Sequence, residues 1–171
     1  MKWSKLKKEI EQRLSDKLMR RLEYYTTTYA NSSLGRSWIT FDKVQIVNFE
    51  TILSWVNYNA YYHELTNKPN YQKHSSINDK ERTVGLPMER VEFSQFDFLN
   101  SCWDYLQLSI EDALESKNPI INSLAMVDRR LGKRRLTNIN IEDLHPLTKL
   151  LFCIRLNVEN IMIEDTLIDK K

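Results

Sequence analysis

Glycine and proline are scarce in this chain, three and four among 171 residues. Strands at short spacing need turn residues with special backbone angles, so an all-β sandwich or barrel is excluded and helix should dominate. So little glycine leaves no material for a phosphate-cradling loop. No G-x-S-x-G elbow, Walker loop or G-x-G-x-x-G pattern occurs, which sets aside phosphoryl transfer and dinucleotide chemistry. Cysteine is limited to Cys102 and Cys153, both inside apolar runs, with no C-x-x-C and no histidine at zinc-finger spacing. The expectation is a pair of buried, reduced thiols in a cytoplasmic protein, with no metal and no cofactor. Long apolar runs are missing too. The longest, Leu150 to Ile154, is far too short to cross a bilayer, and the start, Met1-Lys2-Trp3-Ser4-Lys5-Leu6-Lys7-Lys8, has no signal-peptide apolar core. Neither secretion nor a membrane role is expected.

Histidine is limited to His63, His74 and His145. His63-Glu64 opens like the zinc-protease H-E-x-x-H motif, but the second histidine position is Asn67, so the helix face lacks its paired ligand and that chemistry is rejected. His145 precedes Pro146 and reads as a capping or surface residue. Net charge is only +2. The pI near 8.5 falls short of the value above about 9 typical of nucleic-acid-binding domains. A polyanion-binding role cannot rest on the total, although the bases crowd towards the amino terminus and the acids towards the carboxyl terminus.

What is present is periodicity. Trp3, Leu6, Ile10, Leu14 and Leu18 recur at steps of three and four and predict one helix over residues 2–21. Residues 23–29, rich in tyrosine and threonine, predict a strand. Ser37–Phe41 and Val44–Phe49 follow as two more, joined by the tight Asp42-Lys43 turn. Thr51 is placed to cap a helix from Ile52 to Leu65, with Ile52, Trp55, Val56 and Tyr62 towards the sheet. Residues 67–92 turn polar and irregular. Ser94 and Asp97, flanked by Phe93 and Phe98, form a helix-start signature, and the stripe Leu99, Cys102, Trp103, Leu106 follows it. Ser109 with Asp112, Asn118-Pro119 and Pro146 mark three further starts. The last helix should bury Leu147, Leu150, Leu151, Ile154 and Val158. The expected fold is α+β: helix, three-stranded antiparallel sheet and helix, then a mostly helical half. The division is an α+β lobe at 1–66, a connector at 67–92 and a helical lobe at 93–171 packed on the first as one unit.

Two surfaces stand out. Ile120, Leu124, Val127 and Leu131 share a helical arc, which would push the bases of the following run outward. Arg129, Arg130, Lys133, Arg134 and Arg135 would then form an anion-binding patch on a basic helix, for a nucleic-acid backbone or an acidic protein face. The plainer reading is that cations in a last helical turn complement the carbonyl end, with Asp128 pairing to a neighbour. The second surface is the sheet. Tyr25, Tyr29, Arg36 and Trp38 stack on bases or meet a protein if they face solvent, and belong to the core if they do not. Pleat phase decides.

The run from Asn118 to Leu136, with Asp128-Arg129-Arg130-Leu131-Gly132-Lys133-Arg134 at its centre, resembles a family of small uncharacterised bacterial proteins that carry a DRRxGKR motif. Lys2-Trp3-Ser4-Lys5-Leu6 and Gly35-Arg36-Ser37-Trp38-Ile39-Thr40 are similar too. The resemblance implies a bacterial, cytosolic, single-unit protein and supplies no catalytic residue, since the family has no established activity. Three strands and then a helix are also similar to plant AP2-type DNA-binding modules, whose sheet reads the major groove, but tyrosine and threonine stand here where those modules carry basic strand residues. The leading expectation is a non-enzymatic binding protein for an anionic partner through the 129–135 bases. The competing one is a protein-interaction module, such as an inhibitor or immunity protein of a toxin, using the aromatic strand face and the loop from Asn67 to Glu92. An enzyme with dispersed acids near His63 and Glu64 comes third.

Overall fold

The amphipathic stripe at the amino terminus does bury itself, but it is a helix only in its first part. In the computed structural model, which describes residues 2–54 and 93–161, α1 spans Trp3–Gln12 and buries Leu6 and Ile10. Lys5–Glu9 and Lys7–Glu11 pairs lie along its outer side at 3.9 and 3.5 Å. The expected helix to residue 21 is corrected at Arg13. There the backbone leaves the helix to pair with a distant segment: Leu14 bridges Asp128, the Ser15 amide donates to the Val127 carbonyl at 3.0 Å, and the Arg129 amide donates to the Arg13 carbonyl at 2.7 Å. Leu14 and Leu18 stay buried outside the helix. Periodicity therefore reported their burial correctly and their backbone wrongly.

The sheet follows as β1 (Leu22–Thr28), β2 (Gly35–Phe41) and β3 (Val44–Glu50), antiparallel in the order β1-β2-β3. Asp42 and Lys43 both have positive φ, 48° and 67°, as the type I′ hairpin turn requires. Between Ile39 and Thr40 the register shifts, with Ile39 opposite Val47 and Thr40 opposite Gln45, so Ile46 is an extra bulged residue. Leu22, Tyr24, Ile39, Val47 and Phe49 form the buried face. Gly35 is needed for close approach: a Cβ there would lie 2.1 Å from the Thr27 carbonyl and 2.8 Å from the Gln95 amide. That amide reaches into the gap to donate to Thr26 Oγ1 and the Thr27 carbonyl at 2.6 and 2.9 Å.

Residues 51–54 begin a helix, but its cap is Glu50 and not Thr51. The longer carboxylate accepts from the amides of Ile52 and Leu53 at 3.2 and 2.9 Å, while the Thr51 hydroxyl donates to the Gly35 carbonyl. Ile52 is exposed, against expectation. Trp55, Val56, Tyr62 and the 67–92 connector lie outside the described residues.

In the second half α2 (Gln95–Gln107) opens with the expected Ser94/Asp97 capping box. α3 (Ile110–Leu114) is capped by Ser109, α4 (Pro119–Met126) by Asn118, and α6 (Pro146–Glu159) by His145, whose Nδ1 accepts from the Leu147 amide. The face α2 buries is Phe98, Cys102 and Tyr105. Trp103 is 44% exposed, because it lies about 100° from Cys102 on the helix wheel and outside that arc. The expected continuation of α4 through the basic run is also corrected. It stops at Met126, and a separate short helix, α5 (Lys133–Leu136), follows the turn. One buried apolar cluster draws on both halves, from Leu6 to Leu156. Phe98 is its joint, with its ring 4.5 Å from Phe49, 6.1 Å from Tyr24 and 6.3 Å from Trp3. Cys102 is buried and Cys153 partly so, both as free thiols.

Candidate functional site

The basic run is built around a carboxylate. When α4 ends, backbone pairing with residues 13–15 turns Asp128 inward to zero exposure. A buried carboxylate without donors would be strongly destabilising, and four donors meet it. The Tyr105 hydroxyl donates to Oδ2. The Arg130 amide donates to Oδ1 at 2.7 Å, and the Arg130 guanidinium donates to Oδ2 through two nitrogens at 2.9 and 2.6 Å. Burial, with Asp128 behind it, pushes the Tyr105 hydroxyl well up, and Asp128 holds the Arg130 guanidinium in its charged form. Arg13 closes the other side by donating to the Tyr105 and Leu106 carbonyls at 2.9 and 2.7 Å, at the carbonyl end of α2.

Beneath this turn lies Arg155, 3% exposed. It donates to the Asp128 and Leu131 carbonyls at 3.0 and 3.3 Å. Its Nε is 3.2 Å from Glu159 Oε1, too poorly aligned for a hydrogen bond, so the contact is an ion pair. Burial lowers the Arg155 pKa, opposed by the charges of Glu159 and Asp128. Glu159 also takes Lys133 at 3.2 Å, and Arg135 pairs with Glu111 at 2.7 Å on the surface. Three of the five candidate cations, Arg130, Lys133 and Arg135, thus have internal carboxylate partners. Arg129 and Arg134 are exposed, and among the described residues their side chains have neither an ion pair nor a hydrogen bond.

The second surface is the outer face of the sheet. Alternation puts three rows there: Glu23, Thr40 and Gln45; Tyr25, Trp38 and Asn48; Thr27, Arg36 and Glu50. Tyr25 and Trp38 stand opposite each other on neighbouring strands and stack, with ring centres 5.3 Å apart and planes 11° from parallel. The Arg36 guanidinium lies 4.6 Å from the Trp38 ring centre, and Lys7 reaches over from α1 to 4.4 Å from the Tyr25 ring centre. The result is a ladder, Lys7–Tyr25–Trp38–Arg36, half-exposed on the face opposite the core. Arg36 is steadied by a 2.6 Å bond to Gln45 Oε1. Tyr29 stands apart. Its hydroxyl donates to Glu50, and burial together with that carboxylate pushes its pKa up to about 12. Sequence reasoning found Tyr25, Arg36 and Trp38 but missed Lys7, whose place over Tyr25 depends on how α1 packs.

Among the described residues no group of three or more histidine, cysteine or acidic side chains gathers as a metal site, and no helix is long and apolar enough to cross a membrane. His63 and Glu64 fall outside the described residues. The fold and these surfaces define a mixed α+β chain whose sheet keeps one face for the core and one for solvent. The pattern of the SF0329 protein family matches residues 2–156, and the chain belongs to that family. No curated protein and no solved structure matches it.

Proposed function

We propose that this chain is a non-enzymatic protein-interaction module, of the inhibitor or immunity kind, and that its working surface is the outer face of the sheet. One observation carries the reading: a stacked Tyr25–Trp38 pair flanked by Arg36 and Lys7 is held in place on a face that the core does not use. Tyrosine, tryptophan and arginine are the side chains that dominate binding energy at protein interfaces, and rigid aromatic pairs lose little entropy on docking. An acid on the same face, the half-buried Glu23, favours a protein partner over a uniform polyanion. On this reading the protein is bacterial and cytosolic and needs no cofactor. The test is capture of one stoichiometric protein partner by the wild-type chain. Trp38→Ala and Arg36→Ala should abolish capture while leaving the thermal midpoint nearly unchanged. Undiminished capture by both variants removes the reading.

The anionic-partner reading is retained for one reason: Arg129 and Arg134 are exposed without an internal carboxylate. Here a nucleic-acid backbone or an acidic protein face meets those two residues. Phosphate contacts make affinity fall steeply with salt, each contact adding about 0.7–0.9 to the logarithmic slope. Arg129→Ala with Arg134→Ala should flatten that slope, and absence of binding at low salt excludes the nucleic-acid version.

A further inference from the structure

The three rows on the outer face of the sheet differ in charge. One end row holds Glu23 beside Thr40 and Gln45, the middle row is Tyr25, Trp38 and Asn48, and the other end row holds Arg36 between Thr27 and Glu50. Glu23 is half-buried and has no ion pair among the described residues. Arg36, also half-buried, has no carboxylate partner among them, and its side-chain hydrogen bond goes to the neutral Gln45. Glu50 is buried, its carboxylate taken by the Tyr29 hydroxyl and the amides of Ile52 and Leu53. Lys7, beside Tyr25, is offset by Glu11 at 3.5 Å. Beyond the Glu23 row Arg21 and Asp42 neutralise each other, and Lys43 sits in the hairpin turn. The face thus presents one acid and one base, each a single row, about 6.8 Å, from the stacked aromatic pair and on opposite sides of it.

We infer that this face pairs with the same face of a second copy of the chain, about a two-fold axis that runs along the middle row. Rotation about that axis lays the Glu23 row of each copy over the Arg36 row of the other. Glu23 then faces Thr27 of the second copy and reaches its Arg36 one strand across, with strands about 4.8 Å and sheets about 10 Å apart, while Tyr25 and Trp38 of both copies meet in the middle. A two-fold interface makes every contact twice. The order of charge selects this occupant: acid, aromatics, base is its own complement when turned over, whereas a uniformly acidic or basic partner leaves one end unmatched. The patch is roughly 300 Å² in outline, against about 800 Å² per partner in a stable interface. Self-pairing is therefore weak and yields to a tighter partner. The inference rests on the protein-interaction reading above and states what occupies that surface when no other protein does.

The experiment is analytical ultracentrifugation of the full chain from about 10 μM to about 1 mM, the range of weak association. The mean mass should rise from the 20.4 kDa of one chain towards twice that value. Glu23→Arg alone and Arg36→Glu alone should each weaken pairing at least tenfold at unchanged thermal midpoints. An equal mixture of the two variants should regain it, since both charge contacts of the mixed pair again join opposite signs. Thr27→Lys tests the same geometry without touching the aromatic ladder and should tighten pairing several-fold, because Thr27 is exposed and faces Glu23 of the second copy. A chain that stays single throughout overturns the inference. So does a pair that both charge reversals leave intact, a mixture of folded variants that does not recover, or a Thr27→Lys variant no tighter than wild type. A single chain that still captures a foreign protein sinks this inference alone, and a self-pairing chain that captures none sinks the reading beneath it alone.

Discussion

The turn after α4 and the outer face of β2 hold the same kind of side chain in opposite employment. Arg130 and its buried neighbour Arg155 spend their donors on Asp128 and on carbonyls of their own chain. Arg36 gives one bond to a neutral glutamine and lays its plane over Trp38. The difference follows from what satisfies the buried carboxylate nearby. At the turn the backbone bridge to residues 13–15 takes Asp128 out of water, and arginines must follow it. On the sheet the buried acid opposite Arg36, Glu50, is already met by the Tyr29 hydroxyl and the Ile52 and Leu53 amides, and Arg36 is not drawn to it. A run of arginines is therefore poor evidence of a binding surface when an aspartate begins it, and a lone arginine beside stacked aromatics is better evidence.

Substitutions can break this contrast. The largest effect is expected for Asp128→Ala, which leaves the Tyr105 hydroxyl and the Arg130 guanidinium without their acceptor. Removing one partner of a buried pair destabilises by about 3–5 kcal/mol. The lower end applies here, since Arg130 is one-third exposed and recovers some hydration. Urea denaturation measures it. Arg155→Met should follow at roughly 2–3 kcal/mol, because two buried carbonyls lose their donor and Glu159 its ion partner. Trp38→Ala reverses the pattern. It should shift stability by about 1 kcal/mol or less, as a cross-strand pair does, while weakening partner binding by about 2 kcal/mol or more if it is an interface anchor. Arg129→Ala and Arg134→Ala should move the denaturation midpoint by less than about 0.5 kcal/mol, as surface substitutions do. A larger shift would give these two residues a structural role as well.

The smallest effect concerns pH. Arg21 donates to both oxygens of Asp42, which holds that exposed carboxyl below the usual carboxylate range. A carboxyl lowered in the folded state adds stability above its unfolded value and loses it as pH falls through the folded one. The hairpin should therefore weaken slightly in acid, and Arg21→Ala should remove that part of the dependence. An NMR titration of the Asp42 carboxyl reads both.

Local chemistry made much of this fold legible in the sequence. The Asp42-Lys43 turn, the Ser94/Asp97 capping box and the Asn118-Pro119 start are decided by neighbouring residues, and each was predictable without tertiary knowledge. The end of α1 was not. Leu14 and Leu18 keep helical spacing, and only the far segment at Asp128 shows why the helix stops before them. The site divides in the same way. Alternation fixed which residues share a strand face with Trp38, but not which face is wet. Lys7 over Tyr25, Arg155 under the turn and Glu159 opposite Lys133 are meetings of distant elements, and spacing carries no trace of them.

The bridge between Leu14 and Asp128 has a bearing on how the chain is made. Its two sides, Leu14 and Asp128, lie far apart in the sequence, so during synthesis the first side must wait for the second to leave the ribosome. Until then Leu14 and Leu18, both buried in the folded chain, lack the cover that this junction gives them. Closing so long a loop is slow, so refolding of the purified chain should be governed by that one late junction, while the hairpin forms early on its own.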